Sequence, residues 1–177
     1  GSDRGVGSSL LEHGVVGSSM PNLPARIGQG VTVWTAAEAV PDRERVLARM
    51  IFQAMGRELE VKGEDLLDAA TAVSGTGPAY IFYIAENLLE AARGFGFDDA
   101  QALKLVRQTF SGAMDLWAET GEAPDELRRK VTSKGGTTHA AVTTFQEQDI
   151  GGIFRAGVVR ARDRARELAV DAKENNS

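Results

Sequence analysis

Two short segments of the sequence combine hydroxyl side chains with glycines immediately before a predicted helix. The first is Ser74-Gly75-Thr76-Gly77-Pro78, and the second is Thr132-Ser133-Lys134-Gly135-Gly136-Thr137-Thr138. A helix N-terminus leaves backbone N–H groups unpaired and carries a partial positive charge, so it attracts carboxylate or phosphate. The hydroxyls and the lysine of the second segment therefore predict an anion site. The first segment favours either a capped helix start or a close approach of backbone to a planar ligand.

Other residues that could do chemistry lack the spacing that the chemistry needs. His13 and His139 have no neighbouring ligand at metal spacing, so no metal site is predicted. Gly5-Val6-Gly7 resembles the start of a dinucleotide-binding fingerprint. Only four residues precede it, however, and Leu10 stands where a third small residue is required. We therefore expect no phosphate-binding loop there.

Composition excludes several classes of protein. The 177 residues are 42% hydrophobic and 25% charged, which suits a folded chain with a core. A net charge of -5 argues against a nucleic-acid partner, and the absence of cysteine excludes disulfides and thiolate metal sites. We see neither a signal peptide nor an apolar run long enough to cross a membrane. Gly1-Ser2 is typical of what remains after tag removal.

The amino-terminal third predicts a strand, a helix and a second strand. Residues 1–19 are rich in glycine and serine and are expected to be loose. The β-branched run 31–35 predicts the first strand, a helix opens at Pro41-Asp42, and alternation around Leu59 predicts the second. Its carboxylates, Glu58 and Glu60, are expected on a solvated face. These elements are too small to bury their own faces and resemble the tail of a larger sheet.

From Glu64 onward the pattern is helical. Helices are predicted over 64–73, 79–93, 98–120, 124–130, 138–147 and 153–171, with Asp98 as the N-cap of the third. The helix over 79–93 is apolar on most of its circumference, which indicates the centre of a bundle or an oligomer interface. The fold class is therefore mainly α.

Four segments together resemble the pyrroline-5-carboxylate reductase family, whose members make proline by reducing a cyclic imine with NADPH or NADH. In chain order, they are Met20-Pro21-Asn22-Leu23-Pro24, Ser74-Gly75-Thr76-Gly77-Pro78-Ala79-Tyr80, Thr120-Gly121-Glu122-Ala123-Pro124 and Val131-Thr132-Ser133-Lys134-Gly135-Gly136-Thr137-Thr138. The resemblance implies a helical dimerisation domain of the 6-phosphogluconate-dehydrogenase C-terminal-like type at 64–177. It also implies that residues 20–63 are a β-α-β remnant of a Rossmann domain.

The resemblance also implies the roles of individual residues. Ser133, Gly136 and Thr137 would hold the substrate carboxylate, and Thr138, the catalytic candidate, would hydrogen-bond the ring nitrogen. On the cofactor side the nicotinamide would lie close to Pro21, Asn22, Gly77 and Pro78. The helical domain would form a homodimer, with a higher oligomer left open, in the cytoplasm.

Three departures from the family pattern bear on activity. Leu23 stands where the family usually has threonine, and Lys134 where it usually has proline. The amino-terminal Rossmann domain with its glycine-rich phosphate loop is missing. We therefore expect this chain alone to bind no cofactor and to be inactive. The choice between NADPH and NADH stays open because the discriminating loop belongs to that domain.

Two alternatives remain. The chain could be a helical oligomerisation or carboxylate-binding module that has lost catalysis. It could also belong to another reductase of the 6-phosphogluconate-dehydrogenase type, against which the run from Ser74 to Tyr80 argues.

Overall fold

The computed structural model describes residues 17–174. Residues 1–16, which were expected to be loose and include Gly5-Val6-Gly7 and His13, lie outside the described residues, as do residues 175–177. In chain order the elements are β1 (Ser18–Met20), a 3-10 helix (Leu23–Ile27), β2 (Gly30–Thr35), α1 (Asp42–Gln53), β3 (Gly56–Glu60), α2 (Glu64–Ala70), a π turn (Thr71–Gly75), α3 (Gly77–Gly94), α4 (Asp99–Thr120), α5 (Pro124–Lys130), α6 (Thr137–Glu147) and α7 (Ile150–Glu174). The mainly helical fold preceded by a small sheet is confirmed.

The sheet has three strands in the order β1-β2-β3, where two were predicted. Strand β1 pairs antiparallel with β2, Ser18 opposite Thr35, and β2 pairs parallel with β3, Val33 opposite Leu59. The prediction that residues up to 19 are loose was therefore wrong at Ser18 and Ser19. These residues show no alternation of their own, and it is the pairing with β2 that makes them a strand.

Helix α1 covers one face of the sheet and forms its core. Trp34 and Ala48 are fully buried, Phe52 is nearly so, and the rings of Trp34 and Phe52 lie 5.7 Å apart. Burial of two such aromatic side chains contributes roughly 2–3 kcal/mol each. The β-α-β segment therefore buries the face between α1 and the sheet, contrary to expectation. The expectation of unburied faces holds on its other surfaces, where Leu47, Met50 and Leu59 are 54–64% exposed.

The two glutamates of β3 point to this covered face, and not to solvent as predicted. Glu58 accepts a hydrogen bond of 2.7 Å from the Trp34 indole N–H. Glu60 pairs with Arg45 and, at 2.6 Å, with Arg49 of α1. The outward-facing residue is Leu59, which is 54% exposed. The alternating pattern predicted the two-residue period of β3 correctly but assigned its carboxylates to the wrong face. They are tolerated on the covered face because α1 arginines pair with Glu60 and the Trp34 indole donates to Glu58.

The chain divides into two compact units. The first holds the described residues 17–79 and 156–174, and the second holds 80–155. In the first unit, α2 packs against β1 and β2 with Leu67 buried, and Arg166 of α7 donates to Asp65 at 3.0 Å. This unit thus combines the sheet, α1, α2 and the end of α7.

Within the second unit the helices bury little. Ala92, Ala102 and Val106 are its buried hydrophobic residues. Asp98 caps α4 as predicted, and with Gln101 it forms a reciprocal capping box. Helix α7 begins three residues before the predicted start, because the Asp149 carboxylate accepts from the Gly152 N–H. No helix in residues 17–174 is long and apolar enough to cross a membrane.

Candidate functional site

The segment that begins at Ser74 continues a helix and then turns, instead of forming an open loop. Residues Thr71–Gly75 form one π-helical turn directly after α2, closed by a hydrogen bond of 2.8 Å from Thr76 N–H to the Thr71 carbonyl. Single π turns inside helices are frequent at functional sites. The turn places Gly77 and Pro78 at the start of α3.

The hydroxyls of this segment donate to backbone carbonyls that come earlier in the chain. Thr71 donates to the Leu67 carbonyl, Ser74 to the Ala70 carbonyl and Thr76 to the Thr71 carbonyl, at 2.9–3.0 Å. They satisfy the end of the preceding helix, so the interpretation of these hydroxyls as caps of the following helix was wrong. Each of these hydroxyl groups therefore already donates its hydrogen to a backbone carbonyl of the helix or the turn.

The Met20-Pro21-Asn22 segment lies against the π turn. The Asn22 carboxamide donates to the Ser74 carbonyl at 3.2 Å and accepts from the Val31 N–H at 2.9 Å. A Cβ placed on Gly75 would lie 3.5 Å from Met20 Sδ, which is van der Waals contact. The structure therefore places the segment with Pro21 and Asn22 against the turn that leads into Gly77 and Pro78. The family resemblance implies that these four residues lie beside the cofactor.

The second segment forms a tight turn that leads into α6. Gly135 has φ of +76°, and the Gly136 N–H donates to the Ser133 carbonyl at 3.0 Å. A Cβ on Gly136 would lie 2.5 Å from Ser133 Oγ, so a larger residue there would displace the serine hydroxyl. The two glycines thus fix the serine beside the N-terminus of the helix.

The N-terminus of α6 has no side-chain cap. Its N-cap is Gly136, which has no side chain to offer, so the N–H groups of the first turn keep no partner within the helix. Within residues 17–174, the hydroxyls of Ser133, Thr137 and Thr138 also have no protein hydrogen-bond partner. Three hydroxyls and several N–H groups are therefore available to a bound anion.

One exposed lysine adds positive charge to this turn. Lys134 is exposed and makes no ion pair within the described part of the chain, whereas Lys130 pairs with Glu122. Across residues 17–174, no three His, Asp or Glu side chains come together as a metal site. Carboxylate chemistry fits this turn better than metal chemistry does.

Sequence reasoning missed the contact between Asn22 and Ser74. One signal was present, since Pro78 stands four residues after Ser74 and cannot donate to its carbonyl. That signal shows that a donor is needed without saying which residue supplies it. The two candidate segments belong to different units, Ser74–Pro78 to the first and Ser133–Thr138 to the second.

Comparison with known proteins gives a consistent result. Residues 64–168 match the family model described as pyrroline-5-carboxylate reductase dimerisation, which covers more than half of the chain. The chain is 38% identical over 149 residues to a pyrroline-5-carboxylate reductase from Corynebacterium melassecola, covering 84% of this chain and 55% of the relative. It is 39% identical over 150 residues to the enzyme of that name from Synechocystis, covering 85% of this chain and 54% of the relative.

Solved structures agree. A pyrroline-5-carboxylate reductase from Coxiella burnetii is similar with a TM-score of 0.80 at 38% identity, over 85% of this chain and 56% of that one. The Plasmodium falciparum pyrroline carboxylate reductase with NADP bound has a TM-score of 0.79 at 26% identity, over 85% of this chain and 61% of that one. This chain spans about half the length of the curated relatives it matches. It belongs to the pyrroline-5-carboxylate reductase family and contains the family's dimerisation domain.

Proposed function

We propose that this chain is part of an NAD(P)H-dependent reductase that converts 1-pyrroline-5-carboxylate to proline in the cytoplasm, and that it is inactive without a cofactor-binding domain. The observation that carries the proposal is the uncapped N-terminus of α6, with the free hydroxyls of Ser133, Thr137 and Thr138 beside it. The reaction in this proposal is inferred from membership of the family.

In this proposal the turn before α6 binds and orients the substrate. Ser133 and Thr137 donate to the carboxylate with the N–H groups of the first turn, where the helix dipole adds to the attraction. The Thr138 hydroxyl contacts the ring nitrogen, so that the ring plane is fixed. The imine carbon gains a hydride and the nitrogen takes a proton from solvent water, and a polar partner at that nitrogen accommodates its change of charge.

The cofactor side belongs to Pro21, Asn22, Gly77 and Pro78. A Cβ on Gly77 would meet nothing within 4 Å, so there is open space beside the start of α3 for a flat ring. When bound, NADPH or NADH supplies the hydride. We interpret residues 20–63 as part of the nucleotide-binding domain and residues 64–177 as the helical domain.

We propose that the assembly is a homodimer. A higher oligomer built from such dimers is compatible with this proposal. Helices α3 and α4 enclose an apolar groove of about 540 Å³ that includes Ile81, Phe82, Leu103 and Phe110. Several of these large side chains are about half exposed in one chain. A second copy that covers the groove removes this apolar surface from water. The substrate is a small molecule, and nothing in the charge or helices favours nucleic acid or membrane as a partner.

Titration of the purified chain with proline tests the substrate site by calorimetry. Thr138→Val removes one hydrogen bond to a polar ligand group and should weaken binding about 10-fold to 100-fold. Gly136→Ala should weaken it by displacing Ser133. The matched controls are Thr144→Val in the same helix, whose hydroxyl donates to the Ala140 carbonyl, and Gly112→Ala, where an added Cβ meets only one atom at 4.0 Å. Both controls should bind as the unmodified chain does.

Turnover is then measured as NADPH oxidation in a form of the protein that also carries a cofactor-binding domain. Proline formation that Thr138→Val reduces supports the proposal. Binding of proline without any turnover in that longer form would favour a carboxylate-binding module, the second candidate, because the free hydroxyls at α6 serve either function. Absence of both would refute the substrate site.

A further inference from the structure

Pro78 leaves the carbonyl of Ser74 without its usual donor. In an α-helix the carbonyl of residue i accepts from the N–H of residue i+4, and here residue i+4 is a proline, which has no N–H. The following amide, Ala79 N–H, donates to the Thr76 carbonyl at 2.9 Å. Ser74 is half-buried, so an unpaired carbonyl there would be costly.

Asn22 supplies the missing donor from 52 residues away in the sequence. Its Nδ2 lies 3.2 Å from the Ser74 carbonyl oxygen. Its Oδ1 accepts from the Val31 N–H of β2 at 2.9 Å. One carboxamide therefore ties the Met20-Pro21 segment to the sheet on one side and to the π turn on the other.

The surroundings leave the carboxamide little freedom to move. Behind it, the 3-10 helix presses on the sheet, since a Cβ on Gly30 would lie 2.7 Å from Ala25 Cα. In front of it, the Met20 side chain lies near the turn, since a Cβ on Gly75 would be 3.5 Å from Met20 Sδ. A displacement of Asn22 would shift the segment that carries Pro21 relative to Pro78.

We propose that Asn22 is a positioning residue: its bond to the Ser74 carbonyl, which Pro78 leaves open, fixes Met20-Pro21 relative to the start of α3. This role rests on the proposed function, which places both segments beside the nicotinamide. A purely structural role would be to satisfy a half-buried carbonyl. The two roles differ in kinetics, because misplacing the hydride donor lowers the rate while the carboxylate turn before α6 still binds substrate.

The first test measures the bond itself in this chain by amide hydrogen exchange. Asn22→Asp keeps an oxygen for the Val31 N–H and places another against the Ser74 carbonyl. Amides over 72–79 should then exchange about tenfold faster. Asn87→Asp is the matched control, because Asn87 donates at 2.8 Å to the Tyr83 carbonyl within its own helix and bridges nothing. It should leave exchange over 72–79 unchanged.

A double-mutant cycle tests the part that Pro78 plays. Pro78→Ala restores an N–H that can reach the Ser74 carbonyl, so Asn22→Asp in that background should speed exchange by about threefold or less. An equal effect in both backgrounds would mean that Ser74 is not the partner, and the proposal would be overturned.

The second test separates positioning from stability in a form of the protein that carries a cofactor-binding domain. Asn22→Asp should lower kcat at least about tenfold and leave the KM for the imine within about threefold. Unchanged kcat with faster exchange would reduce Asn22 to a structural residue and overturn the role alone. No turnover in the unmodified protein would instead overturn the proposed function, and the role with it.

Discussion

The two units of this chain differ in how much apolar surface each covers by itself. The first unit buries Trp34, Ala48 and Phe52 between α1 and the sheet. It also pairs the inward Glu60 with two arginines of α1. The second unit buries only two alanines and Val106 among its described residues, while Phe82, Tyr83 and Trp117 remain 44–68% exposed. Helices with such faces reach full burial only against further protein. The first unit therefore has a core within one chain, whereas the second leaves apolar faces that we propose a second copy covers.

The same contrast holds for the two candidate site segments. Around Ser74 the hydroxyls and the Asn22 carboxamide are engaged with backbone, so that segment is fixed in place. Around Ser133 the hydroxyls and the N–H groups of α6 are free, so that segment is available to a ligand. Under the proposed function, the segment around Ser74 positions and the segment around Ser133 binds.

The largest effect is expected in the core of the first unit. Phe52→Ala removes a ring that is 97% buried against Trp34 and should lower the free energy of unfolding by about 3–5 kcal/mol. Urea unfolding followed by circular dichroism measures the change. Phe95→Ala, at a ring that is 82% exposed, is the control and should stay within about 0.5 kcal/mol. Equal losses at the two sites would contradict a self-contained core.

An intermediate effect is expected on the apolar groove of the second unit. Phe82→Glu puts a charge where a second copy is proposed to pack and should raise the dimer dissociation constant at least about 30-fold. Light scattering across a concentration series reports it. Phe95→Glu makes the same chemical change outside the groove and should leave the dimer intact. A dimer that tolerates Phe82→Glu would place the interface elsewhere.

The smallest effect is expected on the exposed surface of α7. Hydrogen bonds from Arg164 and from Arg160 lower the pKa of Glu167. A lowered carboxyl pKa contributes stability above the ordinary pKa of glutamate, and that contribution is lost as pH falls through the lowered value. Because the Glu167 side chain is 45% exposed, Glu167→Gln should barely change Tm at pH 7, and the difference should vanish once the pH lies below the lowered pKa. A large loss at pH 7 would show that surface pairs, and not the core, hold the first unit.

Local rules predicted much of this fold. The aspartate at position 98 followed by Gln101 specifies a capping box, and glycines mark the end of α4 and the turn before α6. The missed features are those whose cause lies far away in the sequence. Ser18–Met20 becomes a strand because β2 is beside it, and Glu60 turns inward because Arg45 and Arg49 of α1 meet it. No local pattern could show either partner.

The same limit applies to the site. The glycines and hydroxyls of residues 133–138 predicted an anion turn from their own chemistry, and their geometry supports it. The role of Asn22 could not be predicted in this way, since its acceptor is on another element. A proline that deprives a carbonyl of its donor is the kind of local signal that should prompt a search for a distant amide.

Strand β3 has a consequence for how this chain behaves in concentrated solution. Its outer edge has no strand partner within residues 17–174, and an unpaired edge is a template for joining other strands into aggregates. Arg57, Glu58 and Glu60 place charge along three of its five positions. Such charges disfavour growth of the sheet from one molecule to the next. Self-association of this chain should therefore proceed through its helices and stop at defined oligomers, without forming fibrils.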